Sequence, residues 1–423
     1  MSNTIETTRR HESTAVNTFS LGIDPPEFVR GAGACLWTED GRRYIDLVCG
    51  SAVTNLGHGH PAHLAAIRRQ LDTGILHTGT RLPSAPRARL YEALGTIFPP
   101  ELSTVHLANS GSEAIETAIK AAHYATGRRN IVAFQGGYHG RTLGALAVTA
   151  SQRLRDPFAP LPGEVTFVPY PYPLRPSLPN STAQSIGTDC LTYLSELIAS
   201  PVSGTGAPSA VIIEAIQGVS GVIIPPLDFL RNLRALCDRA GILLIVDEIW
   251  NGFGRTGGMF AFEHAMITPD IVTLGKSLSG SLPLSAVVAR REILHGWPPG
   301  MHTSTFQGNP LACSAAVATI ETIRQDDLLS HSRNVLETTM HTKLQTLGLS
   351  DGVAEVRVIG AMAGVELVDE DGAPDGPRLK RLQRRCQDLG VLVYGGGWHG
   401  NVLMLVPPLV ISSGELDEAL DKI

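Results

Sequence analysis

The sequence contains no long apolar run. None of its hydrophobic stretches approaches the roughly 20 residues needed to span a bilayer. The N-terminal MSNTIETTRRHESTAVNTFS is polar and lacks the apolar core of a signal peptide. Basic charge is not in excess: 34 Lys and Arg against 40 Asp and Glu leave a net −6, which argues against nucleic acid as the main partner. The six cysteines, at 35, 49, 190, 237, 313 and 386, are scattered and form no CxxC pair. Such spacing suits neither a zinc site nor a disulfide frame, and the expectation is buried thiols in a reducing cytoplasm. No internal repeat or low-complexity tract interrupts the chain. What remains is an ordinary globular composition, 43% hydrophobic and 17% charged over 423 residues, long enough for a sizeable core and two domains.

Against that background one stretch stands out, Gly241 to Gly280. The apolar run Ile242–Val246 has the length of a strand buried on both faces, and it ends in Asp247 and Glu248. A second run, Ile271–Leu274, ends in Gly275 and Lys276. Buried charge is costly unless it is partnered, and ligands of open α/β sheets bind at the carboxyl ends of strands. An acid and a lysine so placed suit pyridoxal phosphate chemistry. A lysine amine can form a Schiff base with the cofactor aldehyde, and a carboxylate can keep the pyridine nitrogen protonated. The same residues also suit a plain ion pair at the rim of a sheet.

Other stretches add candidates. The strand signal Thr104–Ala108 runs into NSGSEAIETAIKAAHYATGRR, a well-signalled helix closed by Gly127. Ser110, Gly111 and Ser112 at its start make either a phosphate seat or an ordinary serine cap. Ile131–Phe134 ends in GGYHGRT, where Tyr138 and His139 follow two glycines. Ala210–Ile213 ends in Glu214. GHGHP (57–61) reads as a turn, since two histidines without a third ligand make a weak metal motif. The GxGxxG string at Gly252, Gly254 and Gly257 follows two carboxylates and opens no clean helix, so it does not read as a dinucleotide fingerprint.

The remaining chain reads as a mobile arm over about residues 1–20, a hairpin around Glu39–Gly41 and a Pro/Ser-rich tract over 156–208. That tract reads as a surface loop or lid with one helix near 189–199. A long helix over about 328–347 opens a smaller α+β region.

Taken together, RGAGACLWTEDGRRYIDL, GHGHP, NSGSEAIETAIKAAHYATGR, GGYHGRT, DEI-x-NGFGRTG, LGKSLSGSLPLSA and TSTFQGNP resemble the class III, or ω-type, aminotransferases of the fold-type I pyridoxal phosphate enzymes, in family order and nearly end to end. The resemblance implies a three-layer α/β large domain with a mostly parallel seven-stranded sheet (56–320). The small domain would be drawn from 1–55 and 321–423. It implies pyridoxal 5'-phosphate as cofactor, no metal, and a homodimer. Lys276 would be the Schiff-base lysine, and Asp247 would pair with the pyridine nitrogen. Gly111 and Ser112, beside Ser110, would hold the phosphate. Tyr138, next to His139, and Ile249 would cover the two ring faces. Glu214 would orient the surroundings, and Thr305 would reach the phosphate of the neighbouring subunit.

Three positions depart from the family pattern. Trp250 stands where a glutamine usually donates to the cofactor's phenolic oxygen; its indole N–H can donate instead. Val219 replaces a gating glutamate, and Met404 replaces the carboxylate-binding arginine. Without that arginine the charge-assisted grip on an α-carboxylate is lost. The expectation is an aminotransferase for a primary amine that is not a simple α-amino acid, such as an amino sugar or diamine. Arg81, Arg141 or Arg175 would then hold a keto-acid partner. The alternative is a racemase or epimerase of the same family.

Overall fold

The structure, a computed structural model, describes residues 3–16, 18–347 and 352–423. Three strands open the chain: β1 (Phe28–Ala32), β2 (Cys35–Thr38) and β3 (Arg43–Asp46). The expected hairpin is β2–β3, closed by Gly41 at φ +83°. Seven strands follow: β4 (Thr104–Ala108), β5 (Asn130–Phe134), β6 (Glu164–Val168), β7 (Pro208–Ile213), β8 (Leu243–Asp247), β9 (Ile271–Leu274) and β10 (Ser285–Ala289). They form one sheet in the order β4-β10-β9-β8-β7-β5-β6, with β10 antiparallel to both its neighbours and the other strands running one way. The mostly parallel seven-stranded sheet is thus as expected.

Both faces of this sheet are covered, which is why its central strands β5, β7, β8 and β9 are largely apolar. Ile131, Ala133, Ile212 and Ile245 face the Gly111–Thr126 helix through Ala114, Ala118 and Ala121. The alternate residues Val132, Phe134, Ile213, Leu244 and Val246 pack on the opposite side with Phe229 and Leu233 of the Phe229–Ala240 helix. Side chains alternate across a strand, so one apolar run feeds two cores.

The C-terminal region supplies β11 (Val353–Ile359), β12 (Met362–Leu367), β13 (Val391–Leu392), β14 (Tyr394–Gly396) and β15 (Val402–Leu405). Four of them make a smaller antiparallel sheet, β11-β12-β15-β14. The fifth, β13, runs parallel to β3 and pairs Val391 with Ile45.

Three expectations are corrected. Part of the polar N-terminus is a helix, Asn3–His11, docked by an Arg9–Asp24 ion pair and by Arg9 stacking on Phe19. The Pro/Ser-rich tract is more than a surface loop or lid. It contributes β6, laddered in parallel with β5, and it buries Tyr170 and Tyr172. The helix over 328–347 is interrupted by a π-helical turn at Ser332–Glu337, where Ser332 and Arg333 reach the carbonyls of Gly254 and Gly257.

Candidate active site

β4, β5, β7, β8 and β9 end at one edge of the large sheet, and each end delivers a polar group. Asp247, on β8, is 3% exposed. Its Oδ1 accepts hydrogen bonds from the Ile249 amide at 3.0 Å and Thr273 Oγ1 at 3.1 Å. Its Oδ2 lies 2.7 Å from His139 Nδ1. The neighbouring Glu248 is fully buried and accepts from the amides of Ala261 and Phe262 at 3.0 and 2.9 Å. Burial pushes that carboxyl up to about 8. The two acids therefore divide: Asp247 serves the cavity, and Glu248 pins the Ala261–Ala265 turn.

Lys276 follows β9 in the left-handed region, at φ +42°, and opens onto the same cavity. Its amine is enclosed by protein, which lowers its pKa; Asp247 and Glu214 oppose the shift. Nζ lies 4.7 Å from the Trp250 ring centroid. Glu214, at the end of β7, accepts from the Tyr138 amide at 2.9 Å and the Gly218 amide at 3.0 Å. Burial raises it to about 7, with His139 opposing and Asp247 reinforcing.

Ser110 caps the Gly111–Thr126 helix, its Oγ accepting from the Glu113 amide. The capping role is therefore real, and it leaves Gly111 and Ser112 facing the cavity. Gly111 leaves room for Ile249, since a Cβ there would sit a tight 3.1 Å from its Cδ1. Gly218 is more strictly needed: a Cβ would lie 2.5 Å from Trp250 Cγ, which would have to shift. Trp250 is thus held with its ring on the Gly218 backbone and Tyr394 edge-on at 5.8 Å.

Ser110, Gly111, Ser112, Tyr138, His139, Glu214, Asp247, Ile249, Trp250 and Lys276 line one cavity of about 190 Å³. Thr305 does not join them; it lies in an exposed loop. Gly140 and Val219 also line the cavity. Gly140 was missed as a site residue, although it closes the GGYHG motif. Met404 is fully buried in β15, opposite Gly364 and Tyr394, and is not part of the lining. Arg175 is committed to Glu366 at 2.7 Å. Arg141 sits at the mouth, its amide on Ser112 Oγ at 3.2 Å and its guanidinium 5.9 Å from the Tyr138 ring.

These residues fit a flat, phosphorylated pyridine aldehyde. A helix start offers donors for an anion, a buried carboxylate faces the opening, and an amine projects from the far wall. Two buried lining nitrogens, His139 Nε2 and Trp250 Nε1, have no hydrogen-bond partner among the described residues.

A mostly parallel sheet with an acid and a lysine on adjacent strand ends defines a fold-type I pyridoxal phosphate enzyme. The class-III aminotransferase family model matches residues 24–423, and the chain belongs to that family. It is a pyridoxal 5'-phosphate-dependent aminotransferase. It is 40% identical to the acetylornithine aminotransferase of Methanopyrus kandleri over 96% of this chain and 95% of that one. Identity to the diaminobutyrate–2-oxoglutarate aminotransferase of Rhizobium meliloti is 36%, over 93% and 86% of the two chains. Among solved structures it resembles an (S)-enantioselective ω-transaminase from Thermomicrobium roseum, with a TM-score of 0.91, 29% identity, and 99% and 96% of the chains covered. An amine transaminase from an uncultivated Pseudomonas species in its PLP-bound form gives a TM-score of 0.88 at 29% identity, covering 97% and 96%.

Proposed function

We propose that this aminotransferase acts on a primary amine that is not a simple α-amino acid, with an amino sugar or a diamine as the substrate class. One observation carries this reading. Val219 lines the cavity where an acid would gate an arginine, and no arginine is among the lining residues. Met404 lies buried behind that wall. An α-carboxylate would therefore find no bidentate partner on the Val219–Met404 side of the cavity. The relative named for diaminobutyrate, a substrate with a second amine and also an α-carboxylate, bears on the diamine part of the reading alone.

The roles follow from position. Lys276 anchors the cofactor and moves the proton at the substrate carbon; its lowered pKa enlarges the neutral fraction such work needs. When bound, the cofactor supplies an electron sink for that carbon. Asp247, steadied by His139, holds the proton on the pyridine nitrogen. Gly111 and Ser112 take the phosphate, and Tyr138 and Ile249 confine the ring. Glu214 ties the Tyr138 turn to the Gly218 turn. Arg141 has no carboxylate within ion-pair reach among the described residues, which leaves it available for a keto acid.

The active unit in this reading is a homodimer with Thr305 entering the partner's site. Its loop lies in an exposed apolar region: Phe306 is 62% exposed and packs on His77 at 5.3 Å, near Ile75 and Leu76. Residues 56–320 would form the cofactor domain. Residues 1–55 would join 321–423 through the β3–β13 pairing. The six unpaired, buried thiols support a cytoplasmic setting.

The test is to incubate the purified holoenzyme with a panel of primary amines in deuterated water, without keto acid. Loss of the visible cofactor band to the pyridoxamine form, with a carbonyl product, is expected for an amino sugar or diamine. Deuterium gain with inverted configuration, and no pyridoxamine form, would replace this reading with a racemase or epimerase.

A further inference from the structure

The loop carrying Thr305 is fastened to the same helix that opens at Gly111. His302 is its main anchor. Lys120 Nζ lies 2.9 Å from His302 Nδ1. An ammonium only donates, so Nδ1 must accept. The ring then carries its hydrogen on Nε2, which donates to Thr117 Oγ1 at 2.9 Å. Thr117 passes its own hydrogen to the Glu113 carbonyl at 2.8 Å. This chain of donors has one direction and exists only for a neutral His302.

Two further bonds hold the loop. Asn109 Nδ2, next to Ser110, donates to Ser304 Oγ at 2.8 Å, and Gln307 Nε2 meets His106 Nε2 at 3.5 Å. His106, on β4, stacks on His302 with centroids 5.1 Å apart, and Trp297 lies edge-on at 5.7 Å. The charged groups facing His302 are Lys120, Glu113 and Glu116 on the helix, with His106 from the strand. Both acids favour the charged ring against burial and Lys120, and each has one oxygen already engaged. Glu113 accepts from Asn109, and Glu116 accepts from Thr142, Gly144 and Ala145.

We propose that His302 is a positioning residue for Thr305: as a neutral ring bridging Lys120 and Thr117 it holds the 302–307 loop, and its protonation releases that loop. The proposal rests on the reading of Thr305 as a contact to the cofactor in the partner subunit. Burial and Lys120 lower the His302 pKa, and burial with His302 lowers His106 to about 4. A histidine whose folded pKa is depressed stabilises the fold above its ordinary value near 6.5, and loses that contribution as pH falls through the interval below it. Release therefore belongs to the acid side.

The experiment compares wild type, His302→Gln and Thr305→Ala between pH 7.5 and 5.5, reading cofactor dissociation and hydrogen exchange of residues 302–307. Glutamine offers both an acceptor and a donor but cannot gain charge. Wild type should lose about fivefold more cofactor affinity than His302→Gln on going to pH 5.5, with matching loss of loop protection. Identical pH profiles in the two proteins would overturn the proposal. Thr305→Ala at wild-type affinity would overturn only the reading of Thr305, because loop exchange still reports on His302. If His302→Gln does not fold, Lys120→Met serves instead. It removes the cation that lowers the His302 pKa, so the loss of affinity and of loop protection should begin at a higher pH, and an unchanged profile again sinks the idea.

Discussion

His139 Nδ1 lies 2.7 Å from Asp247 Oδ2, and both side chains are almost wholly buried. The carboxylate's other oxygen is already saturated by Ile249 and Thr273. The imidazole therefore fixes the one Asp247 oxygen whose direction is still open. Replacing His139 with Phe should leave the fold intact but loosen Asp247. We expect kcat to fall about 10–100-fold, with a smaller change in KM. Steady-state kinetics on a refolding-competent variant checks this; an unchanged kcat would show that the histidine is only packing.

Removing the reacting groups should have a sharper effect. Lys276→Ala should abolish turnover. Asp247→Asn should lower kcat by about 10²–10³ through loss of the fixed charge. Single-turnover assays with a primary amine measure both, and substantial residual activity in Lys276→Ala would remove the assigned mechanism.

Glu214 gives a pH signature in the cofactor-free protein. Its folded pKa of about 7 lies above the ordinary 4.5, so the folded state holds the proton more tightly than the unfolded one. Its contribution is present at low pH and declines as pH rises from about 4.5 to 7. Glu214→Gln mimics the protonated acid and should gain on wild type across that interval, by about 3 kcal/mol at most. Thermal melts at pH 5 and pH 8 give the difference; a constant offset would mean that Glu214 does not titrate there.

Gly218→Ala should displace Trp250, because the new methyl would sit 2.5 Å from its ring. Overpacking of this kind costs about 1–3 kcal/mol. Tm should fall, and substrate preference should change with the moved indole. A substitution that leaves both untouched would show the wall to be plastic.

Restoring a carboxylate grip is a test of the missing pair. Met404→Arg alone buries an unpaired cation and should cost about 3 kcal/mol or more. Adding Val219→Glu, whose backbone carbonyl borders the same space beside Gly396 as Met404 Cε, should recover part of that loss and raise activity with α-amino acid donors. Chemical denaturation of the single and double variants, with glutamate as donor, reads both effects.

The candidate site was legible wherever an apolar run stopped abruptly at an ionisable residue. Asp247, Lys276 and Glu214 stand out because buried strands seldom end that way without purpose. The His139–Asp247 contact was not legible, since it joins residues 108 apart and depends on β5 and β8 ending at one edge. β6 escaped because EVTFV is short and set among prolines, and only its ladder with β5 makes it a strand. The Asn3–His11 helix has Ile5 as its one large apolar residue, too little to make a core-facing stripe that could be read. Thr305 is recognisable as a motif but does not reach its own chain's cavity, which no periodicity could reveal.

The pairing of β3 with β13 also constrains how the molecule is made. Ile45 waits for Val391, so the first sheet cannot close until nearly all of the chain has been synthesised. The central sheet needs no such delay, because its strands all lie between Thr104 and Ala289. Folding should thus proceed from the middle outward, with the N-terminal hairpin an unpaired, association-prone edge in any nascent or truncated chain. Trimming the last forty or so residues would therefore damage the first fifty.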